Sequence, residues 1–543
     1  MTAYDESQIC FLLEITWDSI PYRFSSFPVE ILDGVETYSY NGGLNQPDYQ
    51  QASQIQGFNL EAESIPFELI FDSVDFVQER IKRGRMLDNS AAELSFITVK
   101  NGQPVQQYDN RIILFKGVIS QPLIGDPTQP KGHVTFSVVQ GRDIEDSPLR
   151  DSNIKIRTNN ETISGKTYPI IIGSPGSNVQ VLNEDGNIEA ISTQCTPAYL
   201  ISETPFVGSP VYLVVAGHPV EASTVMIRDY TRATATLSIT EIYIADIDRT
   251  ISVVDVFGTV ITPSIASEAR YYCSWKHGGG LSNPFSVGEL SGGGDIIRYF
   301  LESLNIDIDF QAWEAAAPLL NAYKFDGYIN QPVNTIEFLE NEIVPYLPVE
   351  IFYGPKGVKP ILALLYMNQV HSPRAHVIEN PSFRIISAIT SELQPADIIN
   401  SCSLDYAWQI ATEGFSAHLN LDPTADLTAS PFNFTNQYAE LSENRFGLKK
   451  RFFQSYFIQQ LETAVKVLED TVRLSSLGAL TVLVRADISW GYLEIGDIIE
   501  LVSEDFYLQN MSCMIVTKSF QENSFLFTLR FEDNPLLNRR PYD

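Results

Sequence analysis

The N-terminal part of the chain contains strand-length apolar runs rich in Ile, Val and Phe, separated by polar segments. The runs lie at Ile9–Trp17, Phe67–Phe71, Glu93–Val99, Ile112–Ile119 and His133–Val139. Branched and aromatic side chains pack well on a pleated surface, so these runs predict antiparallel strands. Asn101-Gly102 predicts a hairpin turn, and Phe76–Arg83 predicts one short helix. We therefore expect a small barrel or sandwich over residues 8–140.

The composition and the predicted secondary structure change twice in the middle of the chain. The polar stretch 150–161 predicts a linker, and residues 164–258 form a second β-rich pattern. Glycine clusters at 278–280 and 292–294 predict flexible connections. After them, Asp295 is expected to cap a helix over 296–304, and further helices are predicted over 313–320 and 333–347. A hairpin is predicted from the runs at Val349–Tyr353 and Lys359–Leu365.

The C-terminal part combines a helix with a β-meander. Apolar residues every three or four positions predict a helix over Arg451–Leu474. We expect it to lie against the β-rich region 400–533 through Phe457, Leu461, Val465 and Leu468. Strands are predicted at Leu480–Val484, Ile498–Val502, Ser512–Phe520 and Ser524–Phe531. Gly496-Asp497 is strong turn chemistry directly before the second of these strands.

Composition narrows the class of protein. The 543 residues are 44% hydrophobic and 19% charged, which is typical of a globular chain of three or four domains. The net charge of -31 argues against a protein that grips nucleic-acid phosphates, since such proteins concentrate Lys and Arg. No apolar run reaches the ~20 residues of a membrane helix, and the N-terminus lacks the positive region of a signal peptide. Assembly in a cytoplasm, without membrane insertion, is expected.

The sequence offers one decoy for nucleotide binding. Gly165-Lys166-Thr167 ends like a phosphate-binding loop, but the first glycine of that motif is replaced by Asn160. A helix should follow the motif, whereas Tyr168–Ile172 has the pattern of a strand. We therefore predict no nucleotide or other cofactor here.

Catalytic and metal-binding patterns are weak. The six histidines show no H-E-x-x-H spacing, and the five cysteines show no C-x-x-C spacing; they are His133, His218, His277, His371, His376 and His418, and Cys10, Cys195, Cys273, Cys402 and Cys513. The D-x-D pairs Asp246/Asp248 and Asp307/Asp309 are common in so acidic a chain, and Asp309 is expected to act as a cap or turn residue. We predict no catalytic residue, no metal ligand and no enzymatic activity.

Several segments together resemble the tail hub proteins of bacteriophages, which also occur in gene transfer agents. The resemblance rests on the turn at Ser442–Gly447 before a helix, on Gly496-Asp497, and on the order of helices and hairpin after Ile308-Asp309-Phe310. Asn400–Tyr406 resembles the strand that starts the second barrel in that family. The segment Gly165–Gly173 is similar, more loosely, to the start of an inserted hub domain.

The resemblance implies a fold, a location and partners. It implies a mainly β chain with α+β insertions, divided into a barrel-like domain at 1–150, an inserted β-rich domain at 160–265, an α+β domain at 285–385 and a second barrel-like domain with a long helix at 390–543. Hub proteins of this kind form a homotrimeric ring in the virion tail. The ring joins the tube to tip or fibre proteins and surrounds the path of the tape measure and DNA. The alternative is a multidomain β-rich enzyme of a phage tail that degrades polysaccharide.

The acidic balance leads to one further expectation. If a ring surrounds DNA, carboxylates lining its lumen would repel phosphate and allow passage without binding. Loops between barrel strands reach a rim, so Glu494, Asp497, Glu504 and Asp505 are candidate contributors. Acidity that simply keeps the protein soluble is the alternative interpretation.

Overall fold

The fold is known from a computed structural model, and about half of the residues that it describes lie in β-strands. The structure describes residues 7–45, 47, 49–52, 57–59, 64–70, 87–124, 133–139, 147–156, 163–176, 179–182, 188–191, 196–201, 211–229, 233–261, 271–363, 373–389, 398–410, 412–422, 437–476, 479–506, 508–521 and 523–531. None of the helices formed by these residues is long and apolar enough to cross a membrane. The expectation of a mainly β fold with α+β insertions is confirmed.

The first 139 residues supply eleven strands. Their bounds are β1 (Ser7–Trp17), β2 (Ile20–Ser25), β3 (Val29–Asp33), β4 (Glu36–Gly42), β5 (Gln50–Ala52), β6 (Gly57–Asn59), β7 (Ser64–Ile70), β8 (Ala91–Lys100), β9 (Gln103–Pro104), β10 (Ile112–Ile124) and β11 (His133–Val139). All strands but β5 and β6 form the N-terminal sheet, in the order β3-β4-β2-β1-β8-β10-β11-β7, with β9 beside β8. The five predicted strands are confirmed. So is the turn at Asn101-Gly102, where both residues have positive φ, 52° and 77°. The helix predicted at 76–83 lies outside the described residues.

The next region is dominated by a closed barrel. Its strands and their neighbours are β12 (Ile170–Ile172), β13 (Val179–Leu182), β14 (Ile188–Ile191), β15 (Thr196–Leu200), β16 (Tyr212–Ala216), β17 (Thr224–Arg228), β18 (Thr234–Ile244), β19 (Arg249–Asp255) and β20 (Tyr271–Ser274). The barrel runs β15-β16-β19-β18-β17-β20. Leu213, Val253 and Trp275 lie in its core and are fully buried. Closure by hydrogen bonds therefore occurs in the middle of the chain.

The glycine clusters after the barrel allow close packing, so the prediction of flexible connections is wrong. A Cβ on Gly279 would lie 2.3 Å from the ring of Trp275, and one on Gly280 would lie 2.5 Å from the backbone nitrogen of Gly173. A Cβ on Gly294 would lie 2.8 Å from the Cα of Ala317. Only glycine fits where two backbones or a backbone and an indole approach this closely.

The central region mixes helices and strands. Its elements are α1 (Gly293–Ser303), α2 (Phe310–Leu320), β21 (Gly327–Ile329), α3 (Thr335–Phe338), β22 (Val349–Gly354) and β23 (Gly357–Leu362). Helix α1 begins before Asp295, which therefore lies in its first turn and is not its cap. Asp309 does cap α2, because its Oδ1 accepts a hydrogen bond from the Ala312 amide at 3.2 Å. The single helix predicted over 333–347 is instead α3 followed by a π-helical turn at Leu339–Ile343 and a 3-10 turn at Val344–Tyr346.

The last part of the chain supplies β24 (Ala375–Ile378), β25 (Phe383–Ile389), β26 (Ser401–Gln409), β27 (Gly414–Leu421), α4 (Gln437–Phe446), β28 (Lys450–Gln454), α5 (Leu461–Ser475), β29 (Leu480–Ala486), β30 (Ile498–Ser503), β31 (Leu508–Gln521) and β32 (Ser524–Phe531). The C-terminal sheet has the order β24-β30-β31-β32-β29-β25, and β27-β26-β28 form a separate small sheet. All four strands predicted over 480–531 are confirmed.

The helix predicted over Arg451–Leu474 begins ten residues later than expected, at Leu461. Residues 450–454 form β28, parallel to β26, because the edge of β26 offers backbone hydrogen bonds to a segment with two phenylalanines. The Ser455 hydroxyl then accepts from the amides of Phe457 (3.3 Å) and Ile458 (3.1 Å), which turns the chain into α5. Leu461 and Leu468 are buried in one core with the central region and with β26 and β27. Both strands lie within residues 400–533, so the predicted packing of the helix on that region is confirmed.

The two end sheets share an order of strands. In the first, β7-β11-β10-β8 are neighbours, and in the second β29-β32-β31-β30 are neighbours, all antiparallel. Apart from the two-residue β9, each set places its first strand in chain order beside its fourth, which is a Greek-key arrangement. The sheets pack on one core: the ring centroids of Phe96 and Phe525 lie 5.7 Å apart, and those of Phe11 and Phe520 lie 5.0 Å apart.

The two short strands that follow β4 pair with other regions of the chain. Strand β5 pairs antiparallel with β31 of the C-terminal sheet, and β6 pairs parallel with β22 of the central hairpin. Residues 50–59 therefore supply strands to two other parts of the fold.

Candidate functional site

The connection between β29 and β30, residues 487–497, lies where the end sheets meet. A Cβ on Gly491 would lie 2.5 Å from ring atoms of both Phe96 and Phe525. Gly491 has φ -62°, so glycine is needed here for space and not for its backbone freedom. We call residues 487–497 the junction loop.

The end of the junction loop is a tight turn. The Asp497 amide donates to the Glu494 carbonyl at 3.1 Å, and Gly496 between them has φ 87°. Such a turn needs a residue with positive φ at its third position. The Asp497 Oδ2 also accepts a hydrogen bond from the Glu494 amide at 2.8 Å, which locks the turn. The sequence prediction of a turn at Gly496-Asp497 is confirmed.

Two lysines lie beneath the junction loop. The Lys518 ammonium is buried and donates to the Gly491 carbonyl at 2.7 Å, and it lies 5.1 Å from the centre of the Phe525 ring. The Lys359 ammonium donates to the Ile495 carbonyl at 2.7 Å and pairs with the Glu494 carboxylate at 3.3 Å. We call Lys359, Glu494, Asp497 and Lys518 the junction cluster.

The junction cluster balances its charges internally. Burial lowers the pKa of Lys518 to about 8, although Glu494 and Asp497 act against that shift. Burial also acts to raise the pKa of Glu494, but the positive charges of Lys359, Lys356 and Lys518 outweigh it and lower that pKa. Each charge thus has an opposite charge close by, as buried ions require.

A second polar site is a cleft between the central region and the small sheet β27-β26-β28. Its volume is about 430 Å³, within the range of ligand pockets. The lining combines aromatic, amide and carboxylate side chains, namely Tyr328, Ile329, Asn330, Gln331, Val333, Glu337, Phe338, Asn341, Glu342, Trp408, Tyr456 and Phe457. We call it the aromatic cleft.

Trp408 and Tyr456 line the aromatic cleft beside each other, and Phe415 packs on both rings. The ring of Trp408 lies 5.1 Å from that of Phe415 and 5.0 Å from that of Tyr456, both edge to face. Trp408 follows Ala407, a buried residue with φ 58° whose amide donates to the Ile458 carbonyl at 2.9 Å. A left-handed conformation is costly for alanine, and such strain concentrates at functional sites.

Two carboxylates also line the aromatic cleft. Glu337 lies at the end of α3 and Glu342 lies in the π-helical turn that follows. Five residues separate them, and a turn wider than an α-helical one brings both toward the same cleft. Burial raises the pKa of Glu342 to about 7. Among the described residues, none forms a hydrogen bond or ion pair with its carboxylate.

A third buried carboxylate joins distant segments. Asp326 accepts hydrogen bonds from the Ser174 amide at 2.8 Å and from the Gln460 side chain at 3.0 Å. Burial, helped by the nearby negative charge of Glu289, raises its pKa to about 6. Since both oxygens are bonded within the chain, Asp326 holds β12 and α5 to the central region.

The segment Gly165-Lys166-Thr167, which resembles the end of a phosphate-binding loop, is followed by a strand, as the sequence predicted. Gly165 has φ 86°, the Lys166 carbonyl accepts from the Ile156 amide at 2.7 Å, and β12 follows. A helix N-terminus, which would be needed to bind phosphate, is not formed here.

Histidines and cysteines remain apart. His218 is buried, its Nε2 accepts from the Ile171 amide at 3.1 Å, and burial lowers its pKa to about 4. His376 and His418 pair singly with Glu500 and Asp405 at the surface, each at 2.7 Å. Cys10, Cys273, Cys402 and Cys513 are buried free thiols, while Cys195 and His371 lie outside the described residues. The described part of the chain brings together no group of three His, Cys, Asp or Glu suited to a metal.

The acidic residues proposed for a rim have different surroundings. Glu504 and Asp505 are exposed. Glu494 and Asp497 belong to the junction cluster and lie near Lys359 and Arg374, while the acidic lumen for which they are candidates stays a prediction. Asp248 accepts a hydrogen bond from the Tyr243 hydroxyl at 2.5 Å, in line with a local structural role.

Sequence reasoning missed the aromatic cleft. Its residues come from three segments far apart in the chain, at 328–342, 408 and 456–457. One local signal was available: Trp408 interrupts an otherwise alternating strand next to an alanine. The junction cluster was anticipated only through its turn, because Lys518 looks like any residue of β31.

Comparisons with known proteins give structural neighbours only. No protein-family model matches the chain. No curated protein matches its sequence. A tail protein from Neisseria meningitidis MC58 is 8% identical with a TM-score of 0.36, and the alignment covers 96% of each chain.

Two further solved structures extend the set. The 43 kDa tail protein of prophage MuSo2 from Shewanella oneidensis is 7% identical with a TM-score of 0.34, over 96% of this chain and 99% of that one. A chain in the virion of a native gene transfer agent particle is 14% identical with a TM-score of 0.18, over 49% of this chain and 80% of that one. These TM-scores are too low to support an argument from shared structure. The solved structures to which this chain is similar are tail and virion proteins.

Proposed function

We propose that this chain is a structural hub protein of a phage-like tail, and that three copies form a ring around the path of the tape measure and DNA. The observation that carries the proposal is the pair of end sheets, which share an order of four strands and pack on one core. Two similar units per chain would give a trimer six similar units, a face suited to a sixfold tube.

The division of the chain follows from the same proposal. The hub units would be 1–150 and 390–543, while 160–265 and 285–385 would be the inserted β domain and the α+β domain. Distal tail proteins, the tape measure and tip or fibre proteins would be its neighbours in the virion. Its role would be non-catalytic, with no cofactor.

Exposed apolar residues on edge strands support self-association. Ile378 on β24 is 69% exposed and Ile386 on β25 is 49% exposed, and both strands end the C-terminal sheet. Open edges with apolar side chains are a liability for an isolated subunit, because they pair with other chains. A ring would cover them.

Light scattering coupled to size exclusion tests the ring. We expect a species of about 182 kDa, three times the 60.8 kDa of one chain. Ile378→Lys with Ile386→Lys should shift the population toward monomer, whereas Val287→Lys, at a still more exposed apolar residue in a loop, should not. A wild-type protein that stays monomeric, also within purified tails, would refute the proposal.

A polysaccharide-degrading enzyme is the second candidate, and the aromatic cleft is the observation that favours it. Two carboxylates there, one with a raised pKa, are the groups that glycoside hydrolysis uses. Release of reducing sugars from host cell-wall polysaccharide, abolished by Glu342→Gln, would establish the enzyme. No release by folded protein would leave the hub role as the function.

A further inference from the structure

We propose that the aromatic cleft binds the cationic side chain of an arginine or lysine presented by a partner protein. The cleft lies within a single chain, so this proposal does not depend on the ring. It assigns a ligand class to a site that a purely structural hub does not require.

The charge of the lining is the first argument. Among the twelve residues that line the cleft, two are glutamates and none is lysine or arginine. The amides of Asn330, Gln331 and Asn341 add carbonyl oxygens that can accept hydrogen bonds from a guanidinium or ammonium group. A cation is therefore the ligand whose charge the cleft complements.

The aromatic rings are the second argument. Cations bind over the faces of Trp and Tyr, and the attraction grows when water is excluded. Tyr456 is 44% exposed, and it packs with Trp408 at the wall of the cleft. The chain already uses this interaction elsewhere, since the Arg111 guanidinium lies 4.0 Å from the centre of the Tyr108 ring and that of Arg298 lies 4.1 Å from the centre of the Phe285 ring.

Glu342 is the third argument. Its carboxylate is partly buried, and no described residue pairs with it, whereas Glu494 in the junction cluster is paired with Lys359. A partly buried carboxylate without a partner costs free energy, and an incoming cation would remove that cost. The raised pKa of Glu342 reflects the same cost, because burial disfavours the charged carboxylate.

The backbone around the cleft is the fourth argument. The π-helical turn at Leu339–Ile343 presents Glu342, and the left-handed Ala407 precedes Trp408. π-Turns and strained residues are costly and occur frequently at ligand sites. Two such features beside one cleft indicate that its geometry is maintained for binding.

Binding of a small arginine derivative tests the proposal. N-acetyl-arginine amide is titrated into the full chain by calorimetry, with N-acetyl-citrulline amide as a neutral probe of the same shape. We expect saturable binding of the arginine probe and at least tenfold weaker binding of the citrulline probe. Affinity should rise about tenfold from pH 6 to pH 8, because the carboxylate form of Glu342 binds the cation.

Variants locate the site. Glu342→Gln and Trp408→Ala should each weaken the arginine probe about tenfold, and Glu342→Gln should remove the pH dependence. The other titratable groups around Glu342 are Glu337, Tyr328, Tyr346 and Tyr456. Glu314→Gln and Phe257→Ala, at exposed residues outside the cleft, should bind as the wild type does. Thermal unfolding of each variant verifies that it is folded.

Three results would overturn the proposal. Equal binding of both probes would show that charge is not recognised. Binding of a chitin oligosaccharide without any binding of arginine would make the cleft a saccharide site. No saturable binding of the arginine probe or of a lysine-containing peptide by folded wild-type protein would mean that the cleft takes no cation.

Discussion

The junction cluster and the aromatic cleft are both polar sites inside the same chain. The carboxylate of Glu494 is paired with a lysine in the first, whereas Glu342 is not paired with a cation among the described residues in the second. In the junction cluster, Glu494 is paired with Lys359 and lies near Lys518. In the aromatic cleft, Glu342 has no cation among the residues that line it. The pKa of the first carboxyl is lowered and that of the second is raised.

This difference separates a structural role from a binding role. A buried charge that is satisfied within the chain contributes to one fixed arrangement, and nothing is left over for a ligand. A carboxylate left unsatisfied in a cleft is costly to the folded state and gains from binding. Substitutions at Lys518, Gly491, Glu342 and Glu494 test this difference through the free energy of unfolding, beginning with the largest expected effect.

Lys518→Ala should lower the free energy of unfolding by about 3–5 kcal/mol, because it removes one partner of a buried ionic cluster and leaves the Gly491 carbonyl without its donor. Lys518→Met should cost less, since it keeps most of the volume and Glu494 keeps Lys359. Denaturant unfolding measures both. A loss below about 1 kcal/mol for Lys518→Ala would mean that the cluster is not structural.

Gly491→Ala should cost about 1–3 kcal/mol, because its Cβ would press on Phe96 and Phe525 at the contact between the end sheets. Gly414→Ala is the matched control. A Cβ there would meet only the Thr412 carbonyl oxygen at 3.9 Å. Equal stability of the two variants would show that the sheets are not tightly packed at the junction loop.

The two glutamates should give opposite pH dependences. The folded pKa of Glu342 is raised from 4.5 to about 7, so its contribution is fully present below about pH 4.5 and is lost as pH rises through about 7. Glu342→Gln should therefore equal the wild type at pH 4 and exceed its free energy of unfolding by about 1–2 kcal/mol at pH 8, allowing for partial exposure.

Glu494 has a lowered pKa, so its contribution is present above its unfolded pKa near 4.5 and is lost as pH falls. Glu494→Gln should therefore destabilise the protein at pH 7, and this destabilisation should shrink as the pH falls below about 4.5. Denaturant unfolding at several pH values decides between the two signs. Parallel pH profiles for the two variants would contradict the distinction between the sites.

The strands could be predicted because their signal is local. Alternating side chains at Ser524–Phe531 have one face in the core, and the Asn101-Gly102 turn requires positive φ that these residues tolerate. The order of helices and hairpin in the central region was also readable, because caps such as Asp309 act within their own turn.

Features that depend on distant contacts could not be predicted. Residues 451–454 have helical spacing but pair with β26, so tertiary hydrogen bonding overrode the local pattern. Gly279 and Gly280 looked flexible because the sequence does not show that Trp275 and Gly173 press against them. The aromatic cleft could not be predicted, because it forms only when three segments that are far apart in the sequence come together.

The strand pairing of β5 has a consequence for how the chain is made. Ala52 pairs with Thr517, about 465 residues later in the sequence. A ribosome synthesises about 5–20 residues per second, so β5 waits tens of seconds for its partner to emerge. Strand β5 cannot form its ladder with β31 during that time, and contacts of such long range slow the final step of folding. Synthesis rate and chaperone supply, more than the stability of the finished protein, should therefore set how much native protein a cell obtains.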